Sequence, residues 1–169
     1  MSKDFSLILT CTINPGDMPN LVRSNIDNRL EDYKKSFNFW VKNDFIKKLI
    51  LIENSNYDLT YFKNVTKDVP NKEIEIISSN SNNSFNKELG KGYGQYLCLK
   101  EVFEKSTIAK KTDYFIDVTG RHRVKNFDSI IKHIFSCNAD IYVNITNNLK
   151  FADCNIYGGS KKFFLDYLI

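Results

Sequence analysis

Hydrophobic residues occur in short runs along the chain, and their spacing alternates between strand and helix patterns. Apolar, β-branched runs of strand length occupy residues 5–13, 47–52, 73–78, 114–118 and 140–145, with a short extended piece at 155–157. Helical spacing of apolar residues occupies 20–43, 59–66, 95–109, 126–136 and 160–168. Strands that alternate with helices favour right-handed crossovers and a mostly parallel sheet with helices on both faces. The pattern therefore predicts a single α/β domain over residues 1–169, with the polar segment 79–84 as a flexible surface connection.

Composition and charge exclude some classes of function without identifying one. The net charge of +4 suits an anionic small ligand or an anionic membrane surface, but no concentrated basic stripe indicates a nucleic-acid partner. No segment approaches the ~20 apolar residues that span a bilayer. The four cysteines form no CxxC pair, which is typical of reduced thiols. We expect a cytoplasmic protein, either free or at the inner face of the membrane.

Two segments carry most of the candidate chemistry. Gly90-Lys91-Gly92-Tyr93-Gly94 precedes a helical pattern and is predicted to be a glycine-rich turn, and Asp117-Val118-Thr119-Gly120-Arg121 ends a buried strand. Strand ends in α/β sheets are where such folds bind ligands. Backbone N–H groups at a helix start, together with a nearby arginine, favour a ligand that carries phosphate. The two segments therefore predict a nucleotide or sugar-phosphate site.

Three motifs in this order resemble the nucleotide-binding half of a GT-A-type glycosyltransferase. They are the acidic, polar segment 52–58, the glycine-rich segment 90–94 and Asp117-Val118-Thr119, which lies where that family has an Asp-x-Asp motif. More narrowly, the NPG, ENS, GKGYG and TGR segments resemble small bacterial glycosyltransferases of capsule or lipopolysaccharide synthesis. The resemblance implies a GT-A/Rossmann-like nucleotide-sugar fold. It also implies a nucleotide-sugar donor, either a UDP- or a GDP-sugar.

The sequence departs from that family in three places. Asp117-x-Thr119 lacks the second carboxylate, so Asp117 alone would have to hold Mg²⁺ or Mn²⁺. Gln95 stands where the family pattern has an acid, and an amide cannot act as a base. The chain stops at Ile169 inside a helical pattern, as expected of either a compact family member or a fragment truncated at its C-terminus.

The resemblance and the residue chemistry together assign candidate roles. Nucleoside contacts are predicted for the two strand ends, at Thr12, Asn14, Gly16, Glu53, Asn54 and Ser55, with local helix capping as the alternative for the last two. Phosphate contacts are predicted for Arg121 first and then for Lys91, Arg123, His122 and the backbone of Gly90 and Gly92, with a solvated basic loop and a tight connection as alternatives. Asp117 is predicted to lie near the sugar, or else to pair with Arg121 or Arg123. Asp153 is the candidate general base, and His122 is the alternative base.

The function expected from these residues is transfer of a sugar from a nucleotide sugar to a glycan or lipid-linked acceptor. The alternative is a non-catalytic nucleotide-sugar-binding scaffold. The apolar segment Phe163-Phe164-Leu165 is expected to pack on the sheet, on a homodimer partner, on a further segment or on a membrane surface.

Overall fold

A six-stranded sheet forms the centre of the computed structural model, which describes residues 4–67, 69–137, 139–146 and 150–169. The strands are β1 (Phe5–Cys11), β2 (Lys48–Glu53), β3 (Glu73–Ser78), β4 (Tyr114–Thr119), β5 (Ile141–Thr146) and β6 (Phe151–Ser160). The helices are α1 (Ile26–Val41), α2 (Thr60–Thr66), α3 (Gly90–Lys105), α4 (Thr107–Lys110), α5 (Phe127–Ser136) and α6 (Lys161–Phe163), followed by a π-helical turn, Phe164–Leu168.

The strand order, β3-β2-β1-β4-β6-β5, places β1 and β4 side by side in the middle of the sheet. Strands β1 to β4 are parallel, and β6 runs antiparallel to both β4 and β5. The predicted α/β architecture with a mostly parallel sheet is confirmed. From β1 the chain builds outward to β2 and β3 and then returns to β4 on the other side. The carboxyl ends of β1 and β4 therefore flank the switch point at which open α/β sheets bind ligands.

Helices cover both faces of the sheet because both faces are apolar. Helices α1, α2 and α5 pack on the face that carries Leu7, Leu9 and Ile116. Helices α3 and α4, together with the buried Phe164, pack on the face that carries Ile8 and Phe115. Successive strand residues point to opposite faces, so two covered faces require continuous hydrophobic runs.

The glycine-rich segment is helical, which corrects its prediction as a turn. Helix α3 begins at Gly90, so Gly92 and Gly94 lie in its first turns. The turn is confined to the 3₁₀ segment Lys87–Leu89 and to Gly90, whose φ of 80° favours glycine. α3 ends at Lys105 because Ser106 caps the separate helix α4.

The polar segment 79–84 is a structural part of the fold rather than a simple surface connection. Ser81–Asn83 forms a 3₁₀ turn in which Asn82 is buried. Its N–H donates to the Asn54 carbonyl at 2.8 Å, and its side-chain amide donates to the Asn14 carbonyl at 3.2 Å. The asparagine therefore joins three loops, a role that its polarity alone does not indicate.

The C-terminal region also differs in detail from its prediction. The extended piece at 155–157 is the middle of the ten-residue strand β6, and the final helix divides into α6 and the π-helical turn. Phe164 is fully buried on the sheet, whereas Tyr167 is 77% exposed. Among the described residues, no helix has the length and apolarity needed to cross a membrane.

Candidate functional site

An open cavity of about 350 Å³ lies at the carboxyl ends of β1 and β4. The strand ends, the loop after β1, helices α1 and α3, the Asn82 turn and one end of β6 form its walls. The lining residues are Thr10, Thr12, Pro15, Met18, Leu21, Arg29, Tyr33, Asn82, Lys91, Gly92, Gly94, Gln95, Cys98, Thr119, Arg121, Asp153, Cys154 and Asn155. Of the predicted site residues, the lining contains Thr12, Lys91, Gly92, Arg121 and Asp153.

Glu53 organises the loops beneath the cavity and does not line it. Its buried carboxylate accepts from the N–H groups of Ile13 at 3.0 Å, Ser55 at 3.1 Å and Tyr57 at 3.0 Å. The Ser55 hydroxyl also donates to it, and that hydroxyl accepts from the Asn14 N–H at 3.0 Å. A carboxylate that satisfies several backbone donors fixes the loop that carries them. Glu53 and Ser55 therefore support the loops from outside the lining, and their predicted nucleoside contact stays a prediction.

Asn54 and the turn at 14–16 also support the cavity from outside. Asn54 accepts from the Thr12 hydroxyl at 2.7 Å and donates to the Gly94 carbonyl at 3.4 Å, which ties β1, β2 and α3 together. Gly16 has a φ of 57° and donates its N–H to the Asn14 side chain at 3.2 Å. Both turn residues are exposed and lie outside the lining, so Thr12 is the member of this predicted set that reaches the cavity.

Sequence reasoning misses Arg29, a residue of α1 that lines the cavity and is 5% exposed. Its guanidinium donates to the Thr12 carbonyl at 2.8 Å, the Arg23 carbonyl at 3.0 Å and the Tyr33 hydroxyl at 3.0 Å. Within the described residues it pairs with no carboxylate, so an anionic ligand would supply the missing counter-charge. The sequence does contain a signal that Arg29 is buried, because its spacing places it on the same helix face as the buried Tyr33 and Phe37.

The loop after β4 presents Arg121 to the cavity and leaves Arg123 exposed outside it. Gly120 is required by close packing, since its N–H donates to the Thr10 carbonyl at 2.8 Å and a Cβ would lie 2.9 Å from that oxygen. Arg121 makes no hydrogen bond or ion pair with the described residues. Its guanidinium is therefore free to bind a ligand.

His122 holds this loop through its backbone and does not line the cavity. Its carbonyl accepts from the Ser36 hydroxyl at 2.8 Å and the Trp40 indole at 2.9 Å, and its N–H donates to the Thr119 carbonyl at 2.8 Å. Burial, followed by the charge of Arg121, lowers the pKa of the imidazole, so the ring is neutral near pH 7.

Asp117 is fully buried beneath the cavity, in the middle of β4. Oδ2 accepts from Gln95 Nε2 at 2.5 Å, and among the described residues Oδ1 has no partner of hydrogen-bonding geometry. Burial raises the pKa of this carboxyl to about 7, while the Gln95 amide and the Tyr157 hydroxyl act in the opposite direction. The predicted alternative, an ion pair with one of the loop arginines, does not form. Asp117 is therefore linked to the cavity through Gln95, which lines it.

Asp153 reaches the cavity from β6. Its Oδ1 accepts from the Asn155 N–H at 2.9 Å and from the Asn155 side-chain amide at 2.7 Å. These two bonds orient the carboxylate and leave Oδ2 as an acceptor for a ligand.

Lys91 and Gly92 bring the start of α3 to the cavity, whereas Gly90 lies outside the lining. Lys91 Nζ donates to the Asn20 carbonyl at 3.0 Å and so links α3 to the loop after β1. A Cβ on Gly92 would meet nothing within 4 Å, so the space beside this backbone is open to a ligand.

The residues present do not fit the predicted Mg²⁺ or Mn²⁺ site. Hard cations take several oxygen ligands, commonly more than one carboxylate where phosphates are involved. Asp153 is the single acid of the lining, and Asp117 is bound to Gln95. Across the described ranges, no group of three or more His, Cys, Asp or Glu side chains could hold a metal ion. The cationic groups of the lining, which can neutralise phosphate charge, are Arg29, Lys91 and Arg121.

No protein-family model and no curated protein sequence matches this chain. Solved structures do match. The inositol-1-phosphate CTP transferase from T. maritima has a TM-score of 0.54 at 13% identity, covering 97% of this chain and 73% of the other. A cytidylyltransferase from Leptospira borgpetersenii gives 0.54 at 6% identity, covering 97% and 63%. Residues 1–349 of S. aureus TarS give 0.52 at 13% identity, covering 96% and 48%. At these identities the likeness shows the fold alone, and it confirms the predicted GT-A-like fold.

Proposed function

We propose that this chain binds a nucleotide sugar and transfers the sugar to an acceptor hydroxyl. The observation that carries the proposal is the charge of the cavity at the switch point, where Arg29, Lys91 and Arg121 face a single carboxylate, Asp153. A diphosphate matches this lining in charge, and a free guanidinium binds phosphate oxygens in a bidentate manner. The fold shared with proteins named as CTP and cytidylyl transferases supports a nucleotide as the ligand.

In this proposal the ligand lies across the switch point. The nucleoside occupies the β1 side, beside Thr12 and Asn82. The diphosphate lies against Arg121 and Lys91. The sugar then extends toward Asp153, at the β6 end of the cavity.

The proposed chemistry uses the side chains of the lining. The bond between the sugar anomeric carbon and the phosphate oxygen breaks, and the nucleoside diphosphate leaves with the bonding electrons. Arg121 and Lys91 neutralise the charge that develops on the leaving phosphate. The acceptor oxygen forms the new bond to the anomeric carbon, and its proton passes to Asp153.

The resemblance to GT-A-type glycosyltransferases extends the proposal to the donor, the acceptor and the location in the cell. We propose a UDP- or GDP-sugar as donor, a surface glycan or lipid-linked acceptor, and a cytoplasmic location at the inner face of the membrane. Leu165 and Tyr167, which are 47% and 77% exposed, support a further contact of the C-terminal segment with a membrane or a second copy. Residues 1–169 are proposed to form one nucleotide-sugar-binding domain.

Two other functions would use the same cavity. Nucleotidyl transfer, with pyrophosphate leaving from a nucleoside triphosphate, is favoured by the names of the two structures at a TM-score of 0.54. A non-catalytic scaffold would bind the nucleotide sugar without turnover, and the lone carboxylate of the lining favours it.

The test begins with thermal unfolding in the presence of UDP-glucose, GDP-mannose and CTP, each with and without Mn²⁺. A ligand at about 100 times its Kd stabilises the folded state by about 2.7 kcal/mol. For a chain of this size the expected rise in Tm is roughly 5–11 °C. Arg121→Ala should weaken binding roughly 10–100-fold, and Arg123→Ala, two residues away but outside the cavity, should leave binding unchanged.

Product analysis then separates the three functions. Release of a nucleoside diphosphate from the donor supports glycosyl transfer, and release of pyrophosphate from CTP supports nucleotidyl transfer. Binding without either product supports the scaffold. If none of the three nucleotides raises the Tm of a folded sample, or if the two arginine variants behave alike, the proposed site is wrong.

A further inference from the structure

Gln95 has a fixed orientation at the cavity wall. Its Nε2 donates to Asp117 Oδ2 at 2.5 Å and to the Cys154 carbonyl at 3.3 Å. A carbonyl oxygen cannot donate a hydrogen bond, so the Cys154 contact requires the NH₂ end of the amide on this side. The opposite atom, Oε1, is an acceptor without a bond to the described residues, and Gln95 lines the cavity.

We propose that Gln95 is a specificity-determining residue whose Oε1 accepts a hydrogen bond from a hydroxyl of the donor sugar. This inference rests on the proposed nucleotide-sugar function and names the part of the ligand that Gln95 reads. Asp117 is the positioning residue, because it holds the amide and does not touch the cavity itself.

The geometry favours a sugar hydroxyl over the other parts of a nucleotide sugar. An amide oxygen is repelled by phosphate oxygens, which are also acceptors, so the diphosphate is an unsuitable partner. The bond to the Cys154 carbonyl places Gln95 at the β6 end of the cavity, away from the β1 end where the nucleoside is proposed. A sugar hydroxyl near Asp153 is the donor that this end of the cavity would meet.

The buried carboxyl of Asp117 fixes the orientation of the Gln95 amide in this arrangement. An acid without a counter-ion is costly inside a protein, and no cation pairs with Asp117 among the described residues. What it provides is an acceptor that fixes the Gln95 amide before the ligand arrives. A fixed amide loses less conformational freedom on binding than a free one, which favours recognition.

Isothermal titration of the whole chain with UDP and UDP-glucose tests the inference, with GDP and GDP-mannose as a second pair. Each pair isolates the sugar, because its members differ by the sugar alone. Gln95→Met keeps the length of the side chain and removes the acceptor. We expect it to weaken UDP-glucose or GDP-mannose binding about three- to tenfold while leaving the free diphosphate unchanged.

A double variant, Gln95→Met with Asp117→Leu, separates recognition from folding. It removes both partners of the buried bond, so no carboxyl is left without its donor. The sugar-dependent affinity should stay low in the double variant, even where its Tm returns to that of the wild type. If the double variant regains that affinity, the role of Gln95 is structural and the inference is overturned.

The remaining outcomes are equally decisive. Equal weakening for the diphosphate and the nucleotide sugar would assign Gln95 to the nucleoside and overturn the sugar assignment. No change for either ligand would overturn any contact. If the wild-type chain binds neither pair, the proposed function itself fails for these donors, and the inference fails with it.

Discussion

Replacing Glu53 with glutamine tests whether one buried carboxylate holds together the loops beneath the cavity. That carboxylate accepts from the N–H groups of Ile13, Ser55 and Tyr57 and from the Ser55 hydroxyl. Glutamine keeps one acceptor oxygen and turns an NH₂ donor toward the remaining N–H groups. At least one buried backbone donor therefore loses its partner.

The magnitude follows from those bonds. A hydrogen bond to a charged group contributes roughly 1.5–3 kcal/mol, and a buried donor left unsatisfied costs about 1–3 kcal/mol. We expect Glu53→Gln to lower the free energy of unfolding by about 3 kcal/mol. For a chain of this length, the corresponding fall in Tm is roughly 6–12 °C.

Urea unfolding followed by the fluorescence of Trp40, the one tryptophan in the chain, measures this change. Glu73→Gln is the matched control, because Glu73 is exposed on the neighbouring strand β3 and should change the free energy of unfolding by less than about 0.5 kcal/mol. Equal stability of the two variants would show that the Glu53 carboxylate does not hold these loops together. Loss of nucleotide binding by Glu53→Gln at unchanged stability would instead support the nucleoside contact expected from the sequence.

Three further changes test the fold around the cavity. Gly120→Ala should destabilise the protein by about 1–3 kcal/mol in urea unfolding because its Cβ would lie 2.9 Å from the Thr10 carbonyl oxygen, whereas Gly92→Ala, with nothing within 4 Å, should not. Asp117→Asn should remove a pH dependence of the protein's stability. In the folded wild type the pKa of Asp117 is about 7, above its ordinary 3.8, so the wild type loses stability relative to the variant as pH rises from 3.8 to 7. The loss, on the order of 4 kcal/mol, is measured by unfolding at both ends of that range, and parallel pH profiles would contradict it. Trp40→Phe removes the indole donor to the His122 carbonyl, which should lower the free energy of unfolding by about 1 kcal/mol. Because His122 follows Arg121 in the same loop, UDP-glucose should also bind more weakly in titration. Unchanged affinity would show that the loop is held without this bond.

The architecture could be predicted because it depends on local patterns. Runs such as 7–9 and 49–52 are hydrophobic on both sides of the strand, and a strand covered on both faces needs that composition wherever it lies in the sheet. Strand ends are also local, so Thr12 and Arg121 could be predicted from sequence to lie at the same edge of the sheet, and both line the cavity. The insertion of β6 between β4 and β5 could not be predicted, since strand order depends on pairing between distant segments.

The roles of individual polar residues depended on the tertiary structure. Glu53 and Asn54 lie at the end of a buried strand, as a ligand-binding pair would, but they bind the loop after β1, some 40 residues earlier. Glu53 accepts from the Ile13 N–H, and Asn54 accepts from the Thr12 hydroxyl. Arg29 lies on a helix face whose apolar neighbours predict core packing, and only the structure shows that a cavity lies beside it. A polar group in the interior takes whichever partner the fold brings within about 3 Å, and sequence carries little information about that distance.

The sequence by itself determined the layers of this protein, its strand-end chemistry and the basic character of its site, because hydrophobic periodicity and residue type act locally. The tertiary structure decided which side chains reach the cavity. It buried Asp117, turned the Gln95 amide toward it and left Arg121 free. The orientation of the Gln95 amide follows from the contact of β4 with α3 and β6, which brings together groups that lie 22 and 59 residues apart in the chain.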